Sequence, residues 1–309
     1  MRAIALVISC GLIWSSLQAA APAQDRIRIA YPSGMNGQIP LVMQRAGLDV
    51  RNGLEGEFTP FQYGPPMMEA LAAGSVDAVV LGFMPLTTYA SRVPDDVRLV
   101  AYLGESSLAL VVPNGSPIQA LADLKGRRVA VSFNSDEYLE LVVAARQQGI
   151  DAKKEFVLLN TPPVELPLAL SNGTADAVMI RQPQLQRLQR DLGARVVQRW
   201  PLRFLSIVRT RFLSEKPDAV RRYRAALQDS IAFIAREPEK ASAWFSEQIR
   251  VDPSIVRAVR QEEKGDVATG AAPDIDLKPP VEAALRKWFE DAFDNGIIKR
   301  RVDVTKILP

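Results

Sequence analysis

Histidine is absent from the 309 residues, and the single cysteine is Cys10. Without an imidazole there is no Ser-His-Asp or Cys-His catalysis, and the commonest zinc ligand is missing. Cys10 lies in what reads as a removable leader, so the rest of the chain has no disulfide, thiolate nucleophile or cysteine metal site. An excess of one charge is lacking too. Lysine and arginine total 38 against 35 acids, and loss of the leader removes only Arg2, leaving 37 against 35. Such a balance gives no case for a nucleic-acid partner. No low-complexity tract or long linker occurs, no paired-carboxylate spacing stands out for acid–base work, and nothing asks for a cofactor or a metal.

What is present begins with an export signal. Met1-Arg2-Ala3 is a short charged start, the run from Ile4 to Leu17 is apolar, and Ala21-Pro22-Ala23 is an A-x-A cleavage signal. A signal peptide over 1–23 and a mature chain from Gln24 are expected. The run is too short and interrupted for a comfortable transmembrane helix. Val7-Ile8-Ser9-Cys10 resembles a lipoprotein box, but the apolar stretch continues through Trp14, so lipid anchoring at Cys10 is the lesser alternative. The remaining length suits two lobes, each with its own core.

Two stretches about a hundred residues apart carry the same pattern. Ala70-Leu71-Ala72-Ala73-Gly74-Ser75-Val76-Asp77-Ala78-Val79 matches Ala169-Leu170-Ser171-Asn172-Gly173-Thr174-Ala175-Asp176-Ala177-Val178. Each reads as a helix closed by glycine, followed by Asp-Ala-Val opening a strand covered on both faces. Each strand runs into a proline-bearing loop, Gly82-Phe83-Met84-Pro85 or Arg181-Gln182-Pro183. Strand ends of open α/β sheets are where ligands sit.

The remaining pattern alternates strands and helices. Strands are expected over 27–31, 58–63, 97–102, 108–112, 128–131, 156–159 and 177–180, with helices at 38–46, from Gly64, at 116–124 and at 137–148, the last capped by Ser135. Such alternation indicates parallel sheets. Beyond about Ser206-Ile207-Val208 the chain becomes helical, over 217–236, 238–248, 253–263 and 281–294. Arg221, Arg222 and Arg224 read as a solvated helix face rather than a docking surface.

Residues 61–77, Phe61-Gln62-Tyr63-Gly64-Pro65-Pro66 through Gly74-Ser75-Val76-Asp77, closely resemble the periplasmic binding proteins of sulfonate, taurine and nitrate ABC importers. The resemblance continues over 116–131, which contain Ala122-Asp123-Leu124-Lys125-Gly126-Arg127-Arg128-Val129, and at Gly173-Thr174-Ala175-Asp176-Ala177. The wider superfamily includes binders of thiamine-pyrimidine precursors. The resemblance implies a type II periplasmic binding fold: two α/β lobes joined by two crossover segments, with a hinge and a ligand cleft between them. Lobe 1 would comprise residues 24–105 plus 206–309, and lobe 2 residues 106–205. It further implies a small anionic ligand, a periplasmic location and an inner-membrane ABC permease as partner. A monomer is expected.

Four loops fall on the ligand-contact positions of that family. Met35, Asn36 and Gln38 stand in the first, where backbone N–H groups at a helix start favour an anionic head group. Tyr63 and Gly64 stand in the second, glycine allowing close approach of the backbone. Phe83 and Met84 replace the more usual Asp-Ala of the third and would make an adaptable apolar wall. Arg181 and Gln182 stand where relatives show Trp-Asp; a guanidinium would suit a carboxylate or sulfonate, although pairing with an acid such as Glu105 competes with that role. Ser132, Phe133, Asn134 and Ser135 would face them from lobe 2. Glu105, near the crossover, suits either a ligand ammonium or a hinge ion pair. Two rivals remain: a pyrimidine synthase of the same superfamily, which relies on a histidine and a cysteine-rich motif lacking here, and a sensory module of the same fold.

Overall fold

The computed structural model describes residues 24–263 and 273–309. The expected leader, with its cleavage signal and Cys10, lies outside the described residues. No described helix is long and apolar enough to cross a membrane.

The strands are β1 (Asp25–Pro32), β2 (Leu54–Phe61), β3 (Ala78–Leu81), β4 (Val97–Val112), β5 (Arg128–Val131), β6 (Val157–Asn160), β7 (Ala177–Arg181) and β8 (Arg195–Arg209). The helices are α1 (Gln38–Arg45), α2 (Leu48–Arg51), α3 (Gly64–Ala72), α4 (Phe83–Ala90), α5 (Asp136–Gln147), α6 (Ala152–Glu155), α7 (Leu166–Ser171), α8 (Gln184–Leu192), α9 (Thr210–Glu215), α10 (Pro217–Arg236), α11 (Pro238–Ile249), α12 (Pro253–Glu262) and α13 (Pro279–Asp294). Prolines at the starts of α10, α11 and α12 explain why these starts were legible, since proline loses no hydrogen bond in the first turn; α13 begins at Pro279, two residues before the expected 281.

The sheet order is β2-β1-β3-β8-β4-β7-β5-β6. Parallel trios, β2-β1-β3 and β6-β5-β7, flank an antiparallel central pair. The trios are equivalent down to their side chains. Gly74 and Gly173 both have φ +73°, the left-handed conformation that closes a helix. The aspartates that follow make the same bonds: Asp77 accepts from the backbone and guanidinium of Arg28 on β1, and Asp176 from those of Arg128 on β5. The motif thus ties each short buried strand to the first strand of its own half.

β4 and β8 pair along almost their whole length and pass through both halves. Two separate strands, 97–102 and 108–112, are expected from the sequence here. Pairing with β8 carries the strand through instead, with a register shift between Tyr102 and Gly104 and a φ of +98° at Gly104. Neither β8 nor α8 was anticipated. Residues 116–124, expected as a helix, form a loop and a single 3-10 turn at Leu121–Leu124, since Pro117 and the Asp123 carboxylate, which accepts from the N–H groups of Gln119 and Ala120, favour a tight turn.

The end of α12 fastens this central pair. Glu263 accepts from the hydroxyls of Ser106 and Ser107 and from the Ser107 N–H, at 2.7–2.8 Å. Beside it Glu262 pairs with Arg199 of β8 at 2.6 Å. Glu105 pairs across the same strands with Arg203 at 3.6 Å. Of its two expected roles, hinge ion pairing is the one its position supports. The Arg221, Arg222 and Arg224 face meets Asp218, Asp25 and Asp276 in surface ion pairs.

Candidate functional site

A cleft opens where the carboxyl ends of β1 and β3 face the start of α5 and the end of β7. It encloses about 350 Å³ of space between atoms, counting the part open to solvent. Asn36, Tyr63 and Gly64 line it from one side, and Ser132, Ser135 and Arg181 from the other. A second hollow of about 360 Å³ shares Tyr63 and Arg181 with it and adds Ser33, Gly34 and Gln184.

Asn36 sits in the 3-10 turn after β1 and is 1% exposed, yet neither its amide nitrogen nor its amide oxygen has a hydrogen-bond partner. Leaving both atoms unpaired in a buried position is costly unless something else meets them. Gly37 makes this turn possible: a Cβ there would lie 1.8 Å from the Pro32 carbonyl oxygen. Ser132 and Ser135 are turned to backbone carbonyls, of Thr161 at 2.7 Å and of Ser132 itself at 2.6 Å, and Ser135 caps α5 by accepting from the Tyr138 N–H.

Arg181, at the end of β7, does not pair with Glu105. Its Nε and Nη2 donate to the two carboxylate oxygens of Glu137, the second at 2.6 Å. The side chains are 15% and 5% exposed. Burial acts to lower the arginine pKa, but the charge and hydrogen bonds of Glu137 prevail and raise it. Among the described residues Nη1 takes no partner.

Asp136 stands next to this pair and crosses the cleft. Its carboxylate accepts from the Met84 N–H at 2.9 Å, at the start of α4. Burial pushes its pKa up to about 6, against the pull of Arg181 and with a further push from Glu137. One turn on, Glu140 is pushed up to about 7, chiefly by burial and then by Asp136, with Arg203 and Lys287 opposing. An acid that holds its proton more tightly folded than unfolded favours folding as pH falls from above its folded value. Thermal melts from pH 8 down to pH 5 should therefore show stability rising, and Glu140→Gln should be more stable at pH 8 with a flatter profile. A variant with the unchanged profile would remove Glu140 from this linkage.

Several expected contacts are corrected. Phe83 and Met84 do not form an apolar wall. Instead of a loop over 82–85, α4 begins at Phe83 with Gly82 as its N-cap, turning both side chains into the core, where Phe83 meets Trp288 edge-on at 5.8 Å. Gln182 is buried outside the lining, accepting from the Gln186 N–H at 3.1 Å and lying 3.4 Å from Glu262. Gln38 is buried beside Arg260, with its amide nitrogen unpartnered. Met35 packs on the core. Phe133 leans on Tyr138 at 4.7 Å, and Asn134, exposed at φ 57°, turns outward. Sequence reading missed Asp136 and Glu137, since acids in the first turn of a helix are ordinarily explained by the helix dipole.

Two α/β halves, a pair of through-running strands and a cleft between the halves define a type II periplasmic binding protein fold. The chain belongs to the NMT1/THI5-like family, whose model matches residues 67–241. It is 25% identical over 267 residues to a candidate aliphatic sulfonates-binding protein of Bacillus subtilis (strain 168), covering 82% of this chain and 80% of that protein. It is 29% identical over 205 residues to the taurine-binding periplasmic protein of Escherichia coli (strain K12), covering 62% and 63%. Among solved structures, the alkanesulfonate-binding protein SsuA from Xanthomonas axonopodis pv. citri bound to MOPS superimposes with a TM-score of 0.79 at 21% identity, over 94% of this chain and 99% of that one.

Proposed function

We propose that this chain is the periplasmic solute-binding component of an ABC importer. It captures a small organic anion between lobes 24–105 plus 206–309 and 106–205, and delivers it as a monomer to an inner-membrane permease. Its role is binding, not catalysis. The observation that carries the reading is Asn36, a buried amide with both polar atoms unpaired on the wall of the interlobe cleft. A sulfonate or related oxyanion accepts from its nitrogen and from Nη1 of Arg181, as charge-assisted bonds favour. The relatives named for aliphatic sulfonates and taurine make sulfonates the first class to test. The left-handed Gly104 and the register shift beside it support a lobe boundary near 105.

A second reading, a thiamine-pyrimidine precursor, draws on Asp136 and Glu137, whose carboxylates accept from ring and amino N–H groups. A thermal-shift screen of sulfonates, taurine, nitrate, carboxylates and pyrimidines separates the two. The true ligand at a hundredfold its dissociation constant adds roughly 2.7 kcal/mol of stability. A screen in which only the pyrimidines shift the melt would replace the anion reading, and one in which nothing shifts it would count against both.

A further inference from the structure

The most unusual group in the cleft is Asp136, because it belongs to one half and is bonded to the other. It begins α5, beyond the through-strand β4, yet it accepts from Met84 on α4, 52 residues earlier. The fit is close. A Cβ on Gly82 would lie 2.3 Å from one Asp136 carboxylate oxygen and 2.8 Å from its carboxyl carbon. The carboxylate therefore occupies the amino end of α4, where unpaired N–H groups favour an anion. The unpartnered amide of Asn36 lines the same cavity. An entering anion meets a site already holding a carboxylate.

We propose that Asp136 is a proton-linked closure residue: bringing the two halves together buries its carboxylate against Gly82 and Met84, and closure, with or without an anionic ligand, takes up a proton there. The anion part rests on the functional reading above; the closure part does not. When the halves separate, the carboxylate returns to water and to the ordinary carboxylate range. When they close, burial favours the neutral acid, whose remaining carbonyl oxygen still accepts from Met84. The rise to about 6 has this sign. The groups around it are Arg181 from β7, Glu137 and Glu140 from its own helix, and Tyr63 from the loop before α3. The first turn of α4 presents N–H groups, while Lys287 and Asp291 of α13 act on Glu140. With Asp136 and Glu137 ionised against Arg181, the closed cleft has one negative charge in excess; a proton on Asp136 cancels it.

The test places spin labels on exposed positions of the two halves, Val50→Cys and Leu168→Cys, in the purified protein with Cys10 removed, and reads interlabel distance from pH 5 to pH 7.5. The short-distance, closed population of the ligand-free protein rises as pH falls. Asp136→Asn, which keeps an acceptor oxygen and loses the charge, is more closed and insensitive to pH. Gly82→Ala, at a backbone conformation that alanine tolerates (φ −86°, ψ −175°), evicts the carboxylate and opens the protein. Glu140→Gln keeps the pH response. A wild-type population that does not change with pH, or an Asp136→Asn variant that retains the wild-type response, overturns the proposal. Calorimetry with ethanesulfonate and nitrate then tests the anion part. Affinity weakens by up to about tenfold per pH unit, the limit for one linked proton, as pH rises from the ordinary carboxylate range to the closed-state value of about 6 and levels off above it, and Asp136→Asn removes the slope. If neither probe binds while the distances respond to pH, the closure proposal stands and the anion reading falls.

Discussion

Glu137→Ala is expected to destabilise the ligand-free protein by about 3–5 kcal/mol, the usual result of removing one member of a buried ion pair. The reason is the fate of Arg181. Its guanidinium is held on two nitrogens by Glu137, and both side chains are largely shielded from water. Without the acid, a charge with nowhere to go stays at the end of β7. Against a typical total of about 5–15 kcal/mol, such a loss is readily measured by urea unfolding. Replacing both partners by apolar residues of similar size, Glu137→Leu with Arg181→Met, should recover most of it, because neither charge is then desolvated. A cost below about 1 kcal/mol for Glu137→Ala, the range of exposed pairs, would mean that solvent reaches the pair and that Glu137 is not what holds Arg181 in place.

Asn36→Leu should move stability and binding in opposite directions. The amide is buried and both its polar atoms are unpaired, a condition worth about 1–3 kcal/mol of lost stability. A leucine of similar branching removes that burden, so the ligand-free melting temperature should rise. The bond that the amide gives an anionic ligand is then missing. Hydrogen bonds to charged groups are worth about 1.5–3 kcal/mol, so affinity should fall by roughly 10- to 150-fold by calorimetry. A variant that is less stable and binds as before would assign Asn36 a purely structural role.

These two residues differ in how readily the chain discloses them. Asn36 follows a strand end in a glycine-flanked turn, and the family resemblance is what marked that turn as a ligand-contact loop. Arg181 was found by its place after the second Asp-Ala-Val strand, but its partner was not. Glu105 was the acid that the crossover suggested; Glu137 is the one that a helix start in the same half brings within reach. Phe83 and Met84 show the same limit. A helix that begins inside the expected loop changes which way two large side chains point, and nothing in their apolar character distinguishes a cleft wall from a core.

The chain by itself determined what depends on neighbours in sequence: the glycines that close α3 and α7, the short buried strands after them, the prolines that start the late helices, the cap at Ser135, and a balance of charge without histidine. Those signals act through backbone conformation and local periodicity, so they suffice for the doubled α/β architecture. Only the tertiary structure decided that β4 and β8 run unbroken through both halves, that Glu137 neutralises Arg181, and that Asp136 reaches Met84 across the cleft. Each of those rests on groups far apart along the chain, whose energy comes from mutual burial, backbone pairing and charge, and which meet only once the chain has folded.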